Sequence, residues 1–487
     1  MAVLAFSMAA AACSGGAGPD TTASTASTTA STTATTTTPT ATPTQAAAPH
    51  SAAPNGLGDP YFPGLGNTGY DVEHYRIDRT VQPALNRIEG TTTIEAVPPA
   101  DYDSFTLDFA GLDIADITID GAAVDYRREG PQESELRVEA PLVTGESFSV
   151  AVAYSGIPDP TEPGALGFPT GWLTNREGTF VASEPAGAHT WFPCNDHPSD
   201  KAAFTFRITV PAGMTGVANG TLVDTAATAA GAATFVWEMP DPMATYLATV
   251  VVAPLERIEH PPMGDVVLRD YLPPSMDVPE SFTLTGDMID FFDDLFGPYP
   301  FDEYGHVVVS GFPAALETQT MTVFGEEWFD SPFTEFVVAH ELAHQWFGDA
   351  VSPSTWRDVW LNEGFATYAE LLWVEHLYGA AAMQAEAATR YADLAGTPHA
   401  ITGDPQPAAL FGMSVYQRGG LTLHALRAAA GDEAFFEILR TWMERYGSGA
   451  ASTAEFIALA EEVSGADLDD LFQAWLYSSQ LPPLPSP

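Results

Sequence analysis

Between about residues 61 and 257, apolar and polar positions alternate in short runs, as in Tyr75-Arg76-Ile77-Asp78, Ser104-Phe105-Thr106-Leu107-Asp108-Phe109 and Phe148-Ser149-Val150-Ala151-Val152. Glycines and prolines separate these runs at short intervals, which is the pattern of half-buried strands joined by tight turns. An antiparallel all-β domain is predicted. The apolar stretch 243–255 is bounded by Asp241-Pro242 and Glu256-Arg257. It falls short of the ~20 residues of a membrane span and reads as a buried strand. Beyond about Pro279 the apolar period lengthens to that of an amphipathic helix, with segments at 282–296, 333–347, 359–377, 419–430 and 454–477. Ser331 followed by Pro332 marks the start of the second of these. The fold class expected is therefore α+β and multidomain, with a β domain over 59–257 and a mostly helical domain over 258–487.

The first 58 residues belong to neither pattern. Residues 14–58 are dominated by Thr, Ala, Ser, Pro and Gly, which cannot bury a core, so they read as a disordered tether. Ahead of them, the apolar run 2–12 ends at Cys13-Ser14-Gly15-Gly16 and resembles a bacterial lipoprotein signal. Residues 1–13 are thus expected to direct the chain out of the cell and to leave it anchored to the membrane through a lipid on Cys13. The other cysteine, Cys194, follows Trp191 and Phe192 and is expected to be a packing thiol with no disulfide partner. Acidic residues outnumber basic ones 64 to 17, for a formal net charge of −47. Such a field repels phosphate backbones and excludes nucleic acid as a partner.

Chemistry concentrates in His340-Glu341-Leu342-Ala343-His344. On a helix, positions i and i+4 share one face, so both imidazoles can reach a single metal ion. Glu341 is turned about 100° from His340, beside the ion, where a general base for a hydrolytic water belongs. A catalytic zinc needs a third protein ligand and an open position. The next helical segment supplies Glu363 in Trp360-Leu361-Asn362-Glu363-Gly364-Phe365-Ala366, with 18 residues between His344 and Glu363. A three-histidine arrangement would require a glycine three residues after His344 and a third histidine six residues after it, and those positions hold Phe347 and Ala350.

These residues, with the continuation Gln345-Trp346-Phe347-Gly348, resemble the aminopeptidase-N family of zinc metallopeptidases, the gluzincins. The resemblance extends to Trp191-Phe192-Pro193-Cys194, Asp196-His197-Pro198, Lys201 and Tyr61-Phe62-Pro63-Gly64-Leu65-Gly66-Asn67. It implies a saddle-like β domain followed by a thermolysin-like catalytic domain, with one Zn2+ per chain held by His340, His344 and Glu363. The family's G-A-M-E-N motif corresponds to Ala314-Ala315-Leu316-Glu317-Thr318, which differs at three positions and carries Thr318 where the family has Asn. By resemblance, Glu317 binds the free α-ammonium of a substrate, and Glu184 in Ala182-Ser183-Glu184-Pro185 is the second amine-binding acid. Tyr416 in Val415-Tyr416-Gln417-Arg418-Gly419-Gly420 corresponds to the family's catalytic tyrosine, a hydrogen-bond donor to the tetrahedral oxyanion.

The function expected is a zinc aminopeptidase that hydrolyses N-terminal residues from peptides with a free N-terminus by attack of a metal-activated water. Larger family members carry a further helical domain that caps the cleft, so a thermolysin-like endopeptidase with an open cleft is the nearest rival. An epoxide hydrolase of the leukotriene type is a remote one. A non-catalytic peptide-binding surface lipoprotein is the rival from another class.

Overall fold

The computed structural model of the chain describes residues 51–227, 231–398 and 400–485. The signal segment, Cys13 and most of the tether lie outside the described residues. Residues 51–58, assigned by composition to the tether, belong instead with the β domain. Ser51–Ala52 pairs in parallel with the strand Tyr102–Asp108, Ala53 is buried, and Asn55 Nδ2 donates to Glu135 Oε2 at 2.5 Å.

The N-terminal half is built around an eight-stranded sheet. Its order is Thr221–Ala227, Ala233–Ala244, Lys201–Val210, Asp71–Gln82, Arg87–Val97, Phe148–Gly156, Asp113–Ile119 and Ala122–Ala123. Along Phe148–Gly156 buried and half-buried residues alternate one by one, the period-two signature that made the strand legible. The sheet is not wholly antiparallel. Asp71–Gln82 runs parallel to Lys201–Val210, because the chain between them leaves to build other sheets before it returns. The stretch 243–255 is also not one strand. It ends the strand Ala233–Ala244, makes a turn at Thr245–Leu247 and re-enters a second sheet as Val250–Ala253. Cys194 is fully buried and unpaired.

A five-stranded sheet begins the C-terminal half, in the order Glu256–Glu259, Val267–Leu272, Glu303–Val309, Thr322–Gly325 and Ala315–Leu316, with its three central strands parallel. Sequence periodicity foresaw only helices here. Glu303–Val309 is buried at every position, and a strand covered on both faces shows no alternation. At its pairing with Val267–Leu272, a Cβ on Gly305 would lie 1.5 Å from the Arg269 carbonyl oxygen, so only glycine fits.

Nine helices follow or flank this sheet among the described residues: α1 Glu280–Thr283, α2 Thr285–Phe296, α3 Thr334–Ala343, α4 Trp360–Tyr378, α5 Ala380–Ala395, α6 Gly419–Ala430, α7 Asp432–Tyr446, α8 Thr453–Ser464 and α9 Asp469–Phe472. Helix α3 starts later than Ser331 suggests. The Ser331 hydroxyl accepts from the Phe333 amide, while Phe333 occupies the cap position without a side-chain bond. The segment 454–477 is broken, because Gly465 ends α8 in the left-handed conformation at φ 66°. Helices α5 and α7 escaped the pattern, α5 because its buried residues Met383, Ala387, Arg390 and Leu394 include an arginine and stand among alanines, and α7 because charged residues interrupt its apolar positions.

One crossing sets the geometry of the site. Cβ atoms on Gly364 and Gly419 would meet the opposing backbone at 2.9 and 2.8 Å, so α4 and α6 touch main chain to main chain. This contact presses the turn Ser414–Arg418 against the helix that carries Glu363. The β domain braces the loops of the other half from outside. Lys201 Nζ donates to the carbonyls of Asp349 and Ala350 at 2.6 and 2.9 Å, and Asn219 Nδ2 donates to that of Gln319 at 2.8 Å.

Candidate metal centre and active site

Helix α3 delivers His340 and Glu341, and His344 stands at its C-cap with helical dihedrals, so the one-turn spacing of the two imidazoles is kept. Helix α4 packs across α3 and places Glu363 opposite them. Glu363 Oε2 lies 3.3 Å from His340 Nε2 and 3.5 Å from His344 Nε2, and all three side chains are buried. Their ligand atoms lie within 4.8 Å of one another. Tetrahedral zinc with bonds of about 2.0–2.1 Å spaces its ligand atoms about 3.3–3.4 Å apart, so the trio fits that ion. Glu363 Oε2 has no hydrogen-bond partner, as expected of an atom reserved for a cation.

Electrostatics divide the acids at this site. Burial alone would raise the Glu363 carboxyl, but the two imidazoles hold it down at about 2. Burial pushes the Glu341 carboxyl up to about 8, with His340 and His344 drawing it partly back. A carboxylate poised near neutrality can take and return a proton, which is the requirement for a general base.

Glu184 and Glu317 come from opposite sides, the first from the β domain and the second from the loop after Ala315–Leu316. One oxygen of each lies with a Glu363 oxygen in a second cluster, within 4.8 Å of one another. Burial pushes Glu184 well above the carboxylate range, with Glu317 and Glu363 raising it further. Burial likewise raises Glu317, which His344 partly offsets. Glu184 Oε1 and Glu317 Oε1 are buried without partners. Thr318 directs its hydroxyl to the Met321 carbonyl, so its side chain has no donor left for a ligand. Tyr416 sits in a π-helical turn, and its ring is nearly parallel to that of His340, at 13° with centroids 6.0 Å apart. Burial, then the charge of Glu363 and the other acids, pushes its phenol well above the ordinary value, so it stays protonated and able to donate.

The structure therefore brings His340, His344, Glu363, Glu184 and Glu317 together, with Glu341 on the metal helix and Tyr416 against His340. It adds residues that sequence reasoning missed. Gln345 Nε2 donates to the Glu317 carbonyl at 3.0 Å, and Gln345 Oε1 accepts from the Thr320 amide at 2.8 Å, tying the metal helix to the Glu317 loop. Tyr246 of the β domain donates to the Gly348 carbonyl and accepts from Asn362 Nδ2, both at 3.2 Å. Glu370 Oε1 lies 2.8 Å from His340 Nδ1, and Arg390 Nη2 reaches the other oxygen of Glu370 at 2.7 Å. Of these, only Glu370 left a usable sequence signal, since it follows Glu363 by two helical turns on one face.

Two histidines and a glutamate delivered by crossing helices, beneath a β domain that adds an acid, define a metallopeptidase of the gluzincin class. Residues 71–247 match the peptidase M1 N-terminal domain and residues 280–475 the peptidase family M1 domain. The chain belongs to peptidase family M1. The M1 zinc metallopeptidase of Deinococcus radiodurans is 34% identical, with a TM-score of 0.82 over 89% of this chain and 100% of that one. A mutant of that protein, crystallised bound to a Tyr-Ser-Ala substrate, is 35% identical over the same shares, also with a TM-score of 0.82. Aminopeptidase N of Streptomyces lividans is 27% identical over 441 residues, covering 83% of this chain and 50% of its own length. Aminopeptidase M1-B of Oryza sativa is 28% identical over 408 residues, covering 75% of this chain and 46% of its own. The chain spans about half the length of these curated relatives.

If the trio holds the metal, His344→Ala should lose zinc, whereas Glu341→Gln should keep one zinc per chain and lose most of the hydrolytic rate. Metal analysis that finds equal zinc in His344→Ala and the parent protein contradicts the ligand set.

Proposed function

We propose that the chain is a zinc-dependent aminopeptidase that removes N-terminal residues from peptides. The observation that carries this reading is the pair Glu184 and Glu317, two buried carboxylates that converge on Glu363 of the metal-binding trio, each with an unpartnered oxygen. Buried acids so close are costly unless a cation joins them. A substrate's α-ammonium supplies that charge and up to three donors, and it sets the first peptide bond beside the metal. Binding of Tyr-Ser-Ala, L-arginine and L-tryptophan by similar M1 zinc metallopeptidases supports peptides with a free N-terminus as the substrate class.

Bound zinc would polarise the scissile carbonyl and bring the pKa of water down to about 7. The protein's own groups do the rest. Glu341 accepts the proton of the attacking water and returns it to the leaving amine. The Tyr416 hydroxyl donates to the oxygen on which negative charge develops, a contact of a kind whose loss typically costs ~2.7–4 kcal/mol. Glu317 and Glu184 hold the amine, so the chain end rather than an internal bond is presented.

We also infer that the protein acts outside the cell, anchored through Cys13. The support is the sequence alone, in the apolar run 2–12 followed by Cys13-Ser14-Gly15 and a stretch rich in Thr, Ala, Ser and Pro. In a lipoprotein-processing bacterial host, Cys13→Ala should move the protein from the membrane to the soluble fraction. Equal membrane association of both forms contradicts the anchor.

The exopeptidase reading makes a sharper demand. Each charge-assisted bond to the ammonium is worth roughly 1.5–3 kcal/mol, and sites built on such partners reject the wrong analogue by ~10⁴-fold or more. Acetyl-capped peptides should therefore be nearly inert, and Glu317→Ala should slow free-amine substrates about 10- to 150-fold with zinc content unchanged. Mass spectrometry showing capped peptides cut internally at rates comparable to uncapped ones overturns the aminopeptidase reading in favour of an endopeptidase.

A further inference from the structure

The two histidines of the metal centre are oriented by different groups. His344 Nδ1 lies 3.1 Å from the Phe347 carbonyl, a neutral acceptor supplied by its own loop. His340 Nδ1 lies 2.8 Å from Glu370 Oε1, on another helix. An ionised carboxylate only accepts, so His340 carries its proton on Nδ1 and keeps the Nε2 lone pair on the side of Glu363. Because Glu370 follows Glu363 by seven residues, α4 brings the third ligand and the group that orients the first on one face.

Glu370 is itself held. Arg390 of α5 donates from Nη2 to Glu370 Oε2 at 2.7 Å and from Nε to Glu386 Oε1 at 3.1 Å, one turn earlier on its own helix. With His340 on one oxygen and Arg390 on the other, the carboxylate cannot rotate away from the imidazole. The side chains of Glu370, Arg390 and Glu386 are only 13%, 10% and 14% exposed, so the chain Glu386, Arg390, Glu370, His340 runs inward from α5 with little competition from bulk water. A cleft lined by Phe336, Glu370, Arg390 and Gln417 lies beside it.

We propose that Glu370 and Arg390 are positioning residues that fix His340 for metal binding and set how long zinc is retained, Arg390 acting through Glu370. The inference rests on His340 being a ligand, and the test separates the two ideas. Zinc affinity and dissociation rate are measured against a chromophoric chelator for the parent protein, Glu370→Gln, Arg390→Met, Arg390→Lys and His340→Ala, with melting temperatures of the metal-free forms and visible spectra of the cobalt-loaded forms. Glu370→Gln should bind zinc about 10- to 100-fold more weakly, release it faster and shift the cobalt spectrum. Arg390→Met should weaken binding by a smaller factor, and Arg390→Lys should recover part of that loss. The metal-free melting temperature of Glu370→Gln should stay close to that of the parent, whereas that of Arg390→Met should fall because Glu370 is left buried without its cation.

Zinc affinities of Glu370→Gln and Arg390→Met within twofold of the parent, alongside loss of zinc from His340→Ala, overturn the positioning role and leave the ligand set standing. Zinc loss in Glu370→Gln that merely tracks a lowered metal-free melting temperature also overturns it. Undiminished zinc in His340→Ala overturns the ligand assignment and the inference together. If Arg390→Met does not fold, the comparison of Glu370→Gln with Arg390→Lys decides alone.

Discussion

The carboxylate of Glu363, held between the imidazoles of His340 and His344, is the interaction on which the rest of the site depends. It forms only because α3 and α4 cross with the ligand atoms 3.3 and 3.5 Å apart, and each helix is fixed by more than that one contact. The glycine pair Gly364 and Gly419 draws α6 onto α4 immediately beside Glu363. The same approach brings the π-helical turn and Tyr416 to His340. One backbone contact thus serves the proposed metal ligand Glu363 and the proposed oxyanion donor at once.

Gathering Glu184, Glu317, Glu341, Glu363 and Asp349 in a buried region is unfavourable in itself, and both Asp349 oxygens are left without partners. Burial first, and the neighbouring carboxylates after it, raise the proton affinities of Glu184, Glu317, Glu341 and Asp349. Rigid support from the β domain is what keeps such a site from collapsing. Lys201, the sole lysine, grips the loop after the metal helix, and Tyr246 bridges Gly348 and Asn362. A cation entering the cluster is favoured because the protein has already brought the acids together.

The convergence of His340, His344 and Glu363 was legible because helical period places i and i+4 on one face, and the spacing to Glu363 falls on a second helix. The short alternating strands were legible for the same kind of reason. Glu303–Val309 was not, since burial on both faces erases alternation, and Ser331 misled because its hydroxyl bonds to a local amide rather than capping a helix. Glu317, Glu184 and Tyr416 were reached through resemblance, since a single Glu or Tyr in a loop carries no period. The pairing of Glu370 with Arg390 spans two helices, one of them an alanine-rich helix whose inward face the pattern could not reveal. Contacts such as those of Lys201 and Tyr246 join distant parts of the chain, and no local window contains both partners.

The central claim is that α3 and α4 together enclose one metal ion between two imidazoles and a carboxylate. Diffraction from crystals of the zinc-loaded protein, recorded on both sides of the zinc absorption edge, tests it most directly. The account predicts a single strong anomalous peak per chain, about 2.0–2.1 Å from His340 Nε2, His344 Nε2 and Glu363 Oε2. A peak placed elsewhere, or ligated without Glu363, would contradict it.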